Sequence, residues 1–206
     1  NNHLENVIFT GSLETAKIIQ KKLIAQPNIV NLVAETGGLN CLVADSSALT
    51  EHVVKDVVYS GFNSAGQRCS ACRILCVEEN VYTKTLTMLR GAIDTLDLGS
   101  PSDLSIDIGP VIDKASKEKI NSHLGNFSKL YQSKGTTAGG HFVPATIIEI
   151  SSLKEIKEEI FGPVVHVMSY KTKEILKLCA DINRLGFGLT LGIHSRIDNT
   201  VNSIIE

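Results

Sequence analysis

The sequence lacks two patterns that would assign it to a class directly: a long apolar run and a block of like charges. No uninterrupted apolar stretch approaches the roughly 20 residues needed to cross a bilayer. The 20 lysines and arginines are spread along the chain and nearly balance 22 acidic residues, so the net charge is −2. We therefore expect no membrane span and no nucleic-acid partner. An apolar content of 43% in 206 residues is ordinary for a globular protein with a hydrophobic core.

Metal-ligand patterns are also missing. The six histidines form no His-x-His or His-Glu-x-x-His pattern, and Cys69-x-x-Cys72 has no second cysteine pair to complete a zinc site, so we expect no metal. Five cysteines are an odd set in a chain too large to need disulfides, which favours free thiols in a reducing, cytoplasmic setting. The chain starts at Asn1 without Met or a leader-type pattern and soon becomes strand-like. We therefore expect a piece of a longer polypeptide.

Short β-branched runs alternate with amphipathic stretches along the sequence. This alternation is typical of an α/β fold whose sheet is largely parallel and covered by helices. Helices are expected after the capping residue Ser12, after a capping-type cluster at residues 45–47 with its apolar spacing over 53–62, and over residues 82–93 and 171–185. Strands are predicted at residues 6–10, 29–35, 73–78, 142–150, 164–168 and 189–194, and residues 41–44 form a short apolar run. Glycines and polar residues at 125–141, Gly139 among them, predict a surface loop.

Cys69 stands among small and polar residues just after a predicted helix, in a stretch too polar to form core. A cysteine attacks as the thiolate, and because a free thiol is only a few per cent ionised at neutral pH, the site must supply a base or a positive potential. Arg68 is adjacent in sequence. The environment of Cys72 stays open. Three other cysteines lie in apolar runs and are expected to be small buried hydrophobes: Cys41, Cys76 and Cys179.

Glu35 ends the apolar run 29–34 and precedes Gly37 and Gly38. This spacing predicts a carboxylate at the end of a strand where the chain turns sharply, and pockets in α/β sheets lie at such ends. A partly desolvated carboxylate in that position can act as a general base on water. The alternative is a solvated glutamate in a turn.

Three segments together resemble the aldehyde dehydrogenase superfamily. They are ETGG at residues 35–38, GQRCSA at residues 66–71 and EEIFGP at residues 158–163. The resemblance covers essentially the whole chain and implies NAD as cofactor and an aldehyde as substrate. It implies that Cys69 adds to the aldehyde, that hydride passes to NAD, and that water activated by Glu35 hydrolyses the resulting thioester.

The same resemblance implies where the cofactor binds. Glu159 would hydrogen-bond the nicotinamide ribose, and Phe161 would pack near the nicotinamide ring. Gly11 and Ser12, between a strand and a helix, would approach the pyrophosphate, since a helix N-terminus favours anions. Many relatives have a further glycine one turn later, where this sequence reads LETA at residues 13–16.

Within the superfamily, the segments at residues 34–40, 108–113 and 186–192 look most like the pyrroline-5-carboxylate dehydrogenase part of bifunctional proline utilization A proteins. That branch oxidises L-glutamate γ-semialdehyde to L-glutamate. The resemblance implies that Ser70 and the loop at Gly186, Phe187 and Gly188 hold the α-carboxylate and amine of the substrate. The alternative is a plain glycine-rich loop. A proline dehydrogenase domain in the full-length chain, and a homo-oligomer, are implied partners.

The resemblance divides the chain into a remnant of a Rossmann-like NAD-binding domain (residues 1–36) and an aldehyde dehydrogenase catalytic domain (residues 37–206) that is incomplete at its C-terminus. Strands that bind adenosine, the asparagine that stabilises the oxyanion, and the strand used for oligomerisation would lie outside this sequence. The chain alone is therefore expected to bind NAD poorly and to turn over slowly or not at all, and NAD against NADP stays open. A dehydrogenase for another semialdehyde and a non-catalytic interaction module are the alternatives.

Overall fold

The computed structural model describes residues 4–135 and 140–206, so Gly139 of the predicted loop lies outside the described residues. The chain forms two compact units, the first ending at Gly38 and the second comprising Leu39–Glu206. No helix among the described residues is long and apolar enough to span a membrane.

The first unit is a β-α-β element. Strands β1 (Asn6–Thr10) and β2 (Asn31–Glu35) pair in parallel, and helix α1 (Leu13–Ile24) connects them. Ser12 caps α1 as predicted, because its hydroxyl accepts the N–H of Thr15 at 3.1 Å. Two strands and one helix enclose little apolar surface, so Ala16 is the one buried residue of α1.

The second unit is built on a six-stranded sheet in the order β5-β6-β7-β4-β3-β8. All neighbouring strands are parallel except the edge strand β5, which is antiparallel to β6. This arrangement confirms the predicted α/β fold with a largely parallel sheet. Its strands are β3 (Asn40–Ala44), β4 (Cys72–Glu78), β5 (Leu130–Gln132), β6 (Thr146–Glu149), β7 (Val164–Tyr170) and β8 (Leu191–His194). Its helices are α2 (Thr50–Phe62), α3 (Glu79–Ile93), α4 (Lys114–Leu124), α5 (Ile175–Asn183) and α6 (Asp198–Ile205).

The core lies around the central strand β4, all seven residues of which are buried. A parallel strand covered on both faces has a nearly continuous apolar sequence, and β3 and β4 follow this rule. Two charged residues of β4 depart from it: Arg73 near its start, only 1% exposed, and Glu78 at its end, 3% exposed. A buried charge needs partners, and those of Arg73 belong to the candidate site.

Several sequence-based boundaries were wrong. The predicted loop at 125–141 contains β5, whose three residues are too few for a visible alternation. The predicted strand at 142–150 begins only at Thr146, after Pro144, which has no N–H for a ladder. The cluster at 45–47 does not cap α2, which follows Leu49; the carboxylate of Asp45 instead accepts the N–H and hydroxyl of Ser47. The predicted helix at 171–185 opens with a short 3-10 helix, Thr172–Glu174. Two helices, α4 and α6, were missed.

A pair of histidines is built into the core. His166 of β7 and His123 of α4 approach with their Nε2 atoms 2.9 Å apart, and Nδ1 of His166 lies 3.2 Å from the carbonyl oxygen of Arg73. A hydrogen bond between the two Nε2 atoms needs one protonated and one unprotonated nitrogen. If both nitrogens carried a proton, two donors would face each other and the bond would be lost. Burial, and then the neighbouring charge of His123, lower the pKa of His166 from 6.5 to about 4.

The folded chain should therefore lose stability on acidification. Below pH 6.5 the unfolded chain binds a proton at His166 that the folded chain does not bind until about pH 4, so the stability present above 6.5 is lost as pH falls. Linkage at about 1.4 kcal/mol per pKa unit gives a loss of about 3 kcal/mol. Urea denaturation at several pH values would measure it. The dependence of the free energy of unfolding on pH should be weaker in His166→Gln and unchanged in His52→Gln. Equal pH dependence in the original chain and both variants would contradict the assignment.

Candidate active site

Cys69 lies on a tight turn that leads into β4. The N–H of Ala71 donates to the carbonyl of Arg68 at 3.1 Å, which leaves Cys69 and Ser70 as the two central, exposed residues of the turn. All five cysteines are free and lie in the described part of the chain, and only Cys69 is exposed. Burial raises the pKa of both Cys41 and Cys72 to about 12, which removes them as nucleophiles.

The two remaining cysteines, Cys76 and Cys179, are also poor candidates for the nucleophile. Burial raises the pKa of Cys76 well above its ordinary value, and it raises the pKa of the half-buried Cys179 as well. The described residues contain no group of three or more His, Cys, Asp or Glu side chains that could hold a metal ion. The sequence-based nucleophile is therefore the thiol that the fold leaves accessible.

A left-handed turn precedes the nucleophile. Ser64, Ala65 and Gly66 have φ values of 57°, 53° and 64°, a conformation that costs roughly 1–2 kcal/mol per residue other than glycine. A Cβ atom on Gly66 would lie 2.1 Å from the carbonyl oxygen of Gly162. The backbone before Cys69 therefore packs directly on the backbone of the segment 158–163, which only glycine permits.

Arg73 ties the same two segments together. Its Nη2 donates to the carbonyl of Arg68 at 3.1 Å and to Oε1 of Glu159 at 3.3 Å. Its Nη1 donates to the carbonyl of Gly162 at 3.0 Å, and its guanidinium lies 5.3 Å from the ring centroid of Phe161. One buried cation thus holds the turn of the nucleophile against both residues implied in binding the nicotinamide end of the cofactor.

A bulge in β4 aims Arg73 at these partners. Asn40 pairs with Cys72, whereas Cys41 pairs with Ile74, so Arg73 is an extra residue in the ladder. Burial lowers the pKa of Arg73, and the charge and hydrogen bond of Glu159 oppose this shift. Glu159 therefore helps to keep the buried Arg73 charged beside the turn that carries Cys69.

Arg68, the cation adjacent in sequence, points elsewhere. Its Nη2 donates to the backbone carbonyl of Tyr59 at 3.2 Å, and its guanidinium lies 5.6 Å from the centroid of the Tyr59 ring. The role of Arg73 was not predicted from the sequence. The one available signal was a charged residue at the start of an otherwise apolar strand.

Two uncharged side chains complete the frame around the turn. Gln67 accepts the N–H of Ile112 at 2.8 Å and donates to the carbonyl of Pro110 at 3.3 Å. Asn40 donates to the carbonyl of Cys69 itself and accepts the N–H of Thr190, next to the loop at 186–188. Neither contact was expected from sequence.

The loop at residues 186–188 is open. Gly186 has φ 75°, and nothing lies within 4 Å of a Cβ placed on it or on Gly188. Phe187, which lies between the two glycines, packs against the hydrophobic core and anchors the loop. The structure thus links this loop to the Cys69 turn through Asn40, within one unit.

The remaining sequence-based site residues belong to the first unit. Glu35 ends β2, as expected, but its side chain is exposed, so residues of this unit do not desolvate it. Its carbonyl accepts the N–H of Gly11 at 3.1 Å, and a Cβ on Gly11 would lie 2.5 Å from the ring of Phe9. The hydroxyl of Ser12 is used in capping α1. The pairing of Glu35 with Cys69 stays a prediction.

Comparison with known proteins assigns the family. A model described as "Aldehyde dehydrogenase family" matches residues 1–206, and the chain belongs to this family of oxidoreductases. Bifunctional protein PutA of Klebsiella aerogenes is 45% identical over 99% of this chain, which spans 17% of that protein. The 1-pyrroline-5-carboxylate dehydrogenase of Bacillus cytotoxicus is 30% identical over 89% of this chain and 37% of the relative.

Solved structures agree. Proline utilization A from Bradyrhizobium japonicum superposes with a TM-score of 0.95 at 42% identity, covering all of this chain and 21% of that one. A 1-pyrroline-5-carboxylate dehydrogenase from Thermus with bound NAD superposes with a TM-score of 0.84 at 26% identity, covering 98% of this chain and 40% of that one. The resemblance inferred from the three motifs is confirmed.

The close backbone approach at Gly66 predicts that alanine substitution has opposite effects on stability at Gly66 and at Gly91. Gly66→Ala should lower the free energy of unfolding by about 2–4 kcal/mol, since it combines a left-handed alanine with a backbone overlap. Gly91→Ala, at an exposed position of helix α3 with nothing within 4 Å of the added Cβ, should raise it by about 0.5–1 kcal/mol. Urea denaturation measures both. Similar effects of the two substitutions would show that the turn before Cys69 is not packed as described.

Proposed function

We propose that this chain supplies the catalytic thiol for NAD-dependent oxidation of L-glutamate γ-semialdehyde to L-glutamate in proline catabolism. The observation that carries the proposal is the state of the cysteines: one thiol is exposed on a rigid turn beside a buried cation, and the others are withdrawn. The two relatives named as pyrroline-5-carboxylate dehydrogenases, and the similarity to PutA proteins, favour this substrate.

In the proposed mechanism the Cys69 thiolate adds to the aldehyde carbon and forms a thiohemiacetal. A bound nicotinamide dinucleotide supplies the hydride acceptor for its oxidation to a thioester. Glu35 takes a proton from water, the water attacks the thioester carbonyl, and the acid leaves as Cys69 regains its thiolate. Arg73 holds the carbonyl of Arg68 throughout, so the thiol stays in place while bonds at its sulfur form and break.

The residues of the nicotinamide end fit a dinucleotide. A carboxylate accepts several hydrogen bonds, so the ion pair of Glu159 with Arg73 is compatible with accepting ribose hydroxyls as well. Phe161 is partly exposed, and its position over Arg73 leaves an apolar ring as a wall for the nicotinamide. At the pyrophosphate end the fit is poorer, because Glu14 adds a negative charge to the first turn of α1.

Ser70 and the loop of Gly186, Phe187 and Gly188 are proposed to hold the amino acid end of the substrate. Backbone N–H groups in a left-handed turn form a concavity that suits a carboxylate, and Gly186 has the required positive φ. The five free cysteines suit a reducing compartment, so we place the reaction in the cytoplasm. A proline dehydrogenase domain in the same polypeptide and a homo-oligomer complete the proposal.

Thiol labelling tests the nucleophile. Iodoacetamide near neutral pH should alkylate Cys69 at least about tenfold faster than Cys179, whose environment raises its pKa. Peptide mass spectrometry after timed quenching gives the rates. Cys69→Ala should abolish the fast phase, and Cys179→Ala should leave it unchanged. Uniform labelling of the five cysteines would instead support a non-catalytic interaction module.

Turnover tests the second half of the proposal. A two-stranded first unit offers little surface for a dinucleotide, so the 206-residue chain alone should form little or no NADH from NAD and L-glutamate γ-semialdehyde. The assay is absorbance of NADH across a set of semialdehydes. Aldehyde-dependent NADH production that disappears in Cys69→Ala would show that the chain is sufficient, and a preference for another semialdehyde would overturn the substrate.

A further inference from the structure

Asn40 lies where three chain segments of the second unit meet. It begins β3, beside the residues that enter β4 on one side and the residue that precedes β8 on the other. Its side chain is buried, with the residue only 3% exposed, and it is uncharged. A buried amide without partners is costly, so its contacts show what it is there to hold.

Both polar atoms of the Asn40 side chain form hydrogen bonds with backbone groups. Its Nδ2 donates to the carbonyl of Cys69 at 2.6 Å and to the carbonyl of Ala71 at 2.9 Å. Its Oδ1 accepts the N–H of Thr190 at 3.1 Å. The orientation of the amide follows from these partners, because the reversed amide would set its oxygen against two carbonyl oxygens and its NH₂ against an N–H.

These contacts connect two parts of the proposed site that are far apart in sequence. The carbonyl of Cys69 belongs to the nucleophile itself, so its position sets the direction in which the thiol leaves the turn. Thr190 lies two residues after the open loop at 186–188, and the buried Asn40 side chain accepts its N–H. The turn that carries Cys69 and the segment that follows the loop are therefore joined by the side-chain amide of Asn40.

We propose that Asn40 is a positioning residue that places the Cys69 nucleophile and the loop at 186–188 in one frame. The inference rests on the proposed function and adds to it the residue that couples thiol and substrate loop. Asn40 acts through the backbone of its partners and does not contact the reacting atoms. Its two ends have separate tasks: the NH₂ group orients the nucleophile, and the oxygen orients the loop.

The separate tasks make the two ends separable by substitution. Asn40→Asp has the same shape and keeps an acceptor for the N–H of Thr190, but it loses the NH₂ group that holds Cys69. Asn40→Ala loses both ends. Thr85→Val is the matched control, because Thr85 is also buried and its hydroxyl donates to a backbone carbonyl, that of Val81 in helix α3.

Two readouts on the 206-residue chain distinguish the ends. The rate of iodoacetamide alkylation at Cys69 reports the nucleophile turn when it is taken as the plateau at high pH, where the thiol is fully ionised in every variant and an added charge no longer changes the thiolate fraction. The hydrogen-exchange rate of the Thr190 amide reports the loop. In Asn40→Asp, alkylation should slow by at least about threefold while Thr190 exchange stays within about twofold of the original chain, as expected for loss of one set of bonds. In Asn40→Ala, alkylation should slow similarly and Thr190 exchange should rise about tenfold or more. Thr85→Val should change neither.

An alkylation rate in Asn40→Asp within twofold of the original chain, or a Thr190 exchange rate that rises as much as in Asn40→Ala, would overturn the inference. Should Asn40→Asp fail to fold, because its carboxylate faces the carbonyls of Cys69 and Ala71, Asn40→Ala and the control decide alone; alkylation and Thr190 exchange both unchanged in Asn40→Ala would then overturn the inference. Failure of the proposed function looks different: Cys69 in the original chain would then label no faster than Cys179, whatever the Asn40 variants do.

Discussion

The position of the candidate nucleophile depends on hydrogen bonds that buried side chains donate to the backbone around it. The carbonyl of Arg68 accepts from Arg73, and the carbonyls of Cys69 and Ala71 accept from Asn40. An exposed turn held only by its own bond would sample many orientations. Held from behind by a buried cation and a buried amide, it presents the thiol on a rigid scaffold, as catalysis requires of a group that must lie close to its target.

Burial of these polar groups follows from the sheet. A bulge in β4 turns Arg73 out of the apolar core and towards segment 158–163, and Gly66 lets two backbones meet at a distance no side chain would tolerate. The left-handed residues Ser64 and Ala65 are strained, and strain of this kind persists only where packing compensates for it. The part of the site in the second unit therefore lies at the amino ends of β3, β4 and β8, whereas Glu35 ends β2 of the first unit, as its sequence context predicts.

How far the sequence predicts this arrangement differs between local and long-range features. The strand at residues 6–10, the cap at Ser12 and the exposure of Cys69 depend on neighbours in the chain, and all were predicted. The contacts of Asn40 with Thr190 and of Arg73 with Glu159 join residues far apart in sequence, so local periodicity carries no trace of them. The edge strand β5 is too short for a period, and the helix after Asp113 has a weakly apolar face. Family resemblance supplied the expected roles of Glu159 and Phe161, which the residues alone would leave as a helix-end charge and a core aromatic.

The most direct test of the account is to observe the bond between the thiol and an aldehyde. L-glutamate γ-semialdehyde labelled with ¹³C at its aldehyde carbon should show, with the 206-residue chain and no cofactor, a new carbon resonance in the range of thiohemiacetals. The account predicts that this resonance persists in Cys179→Ala and vanishes in Cys69→Ala. A resonance that survives in Cys69→Ala would contradict the assignment of the nucleophile.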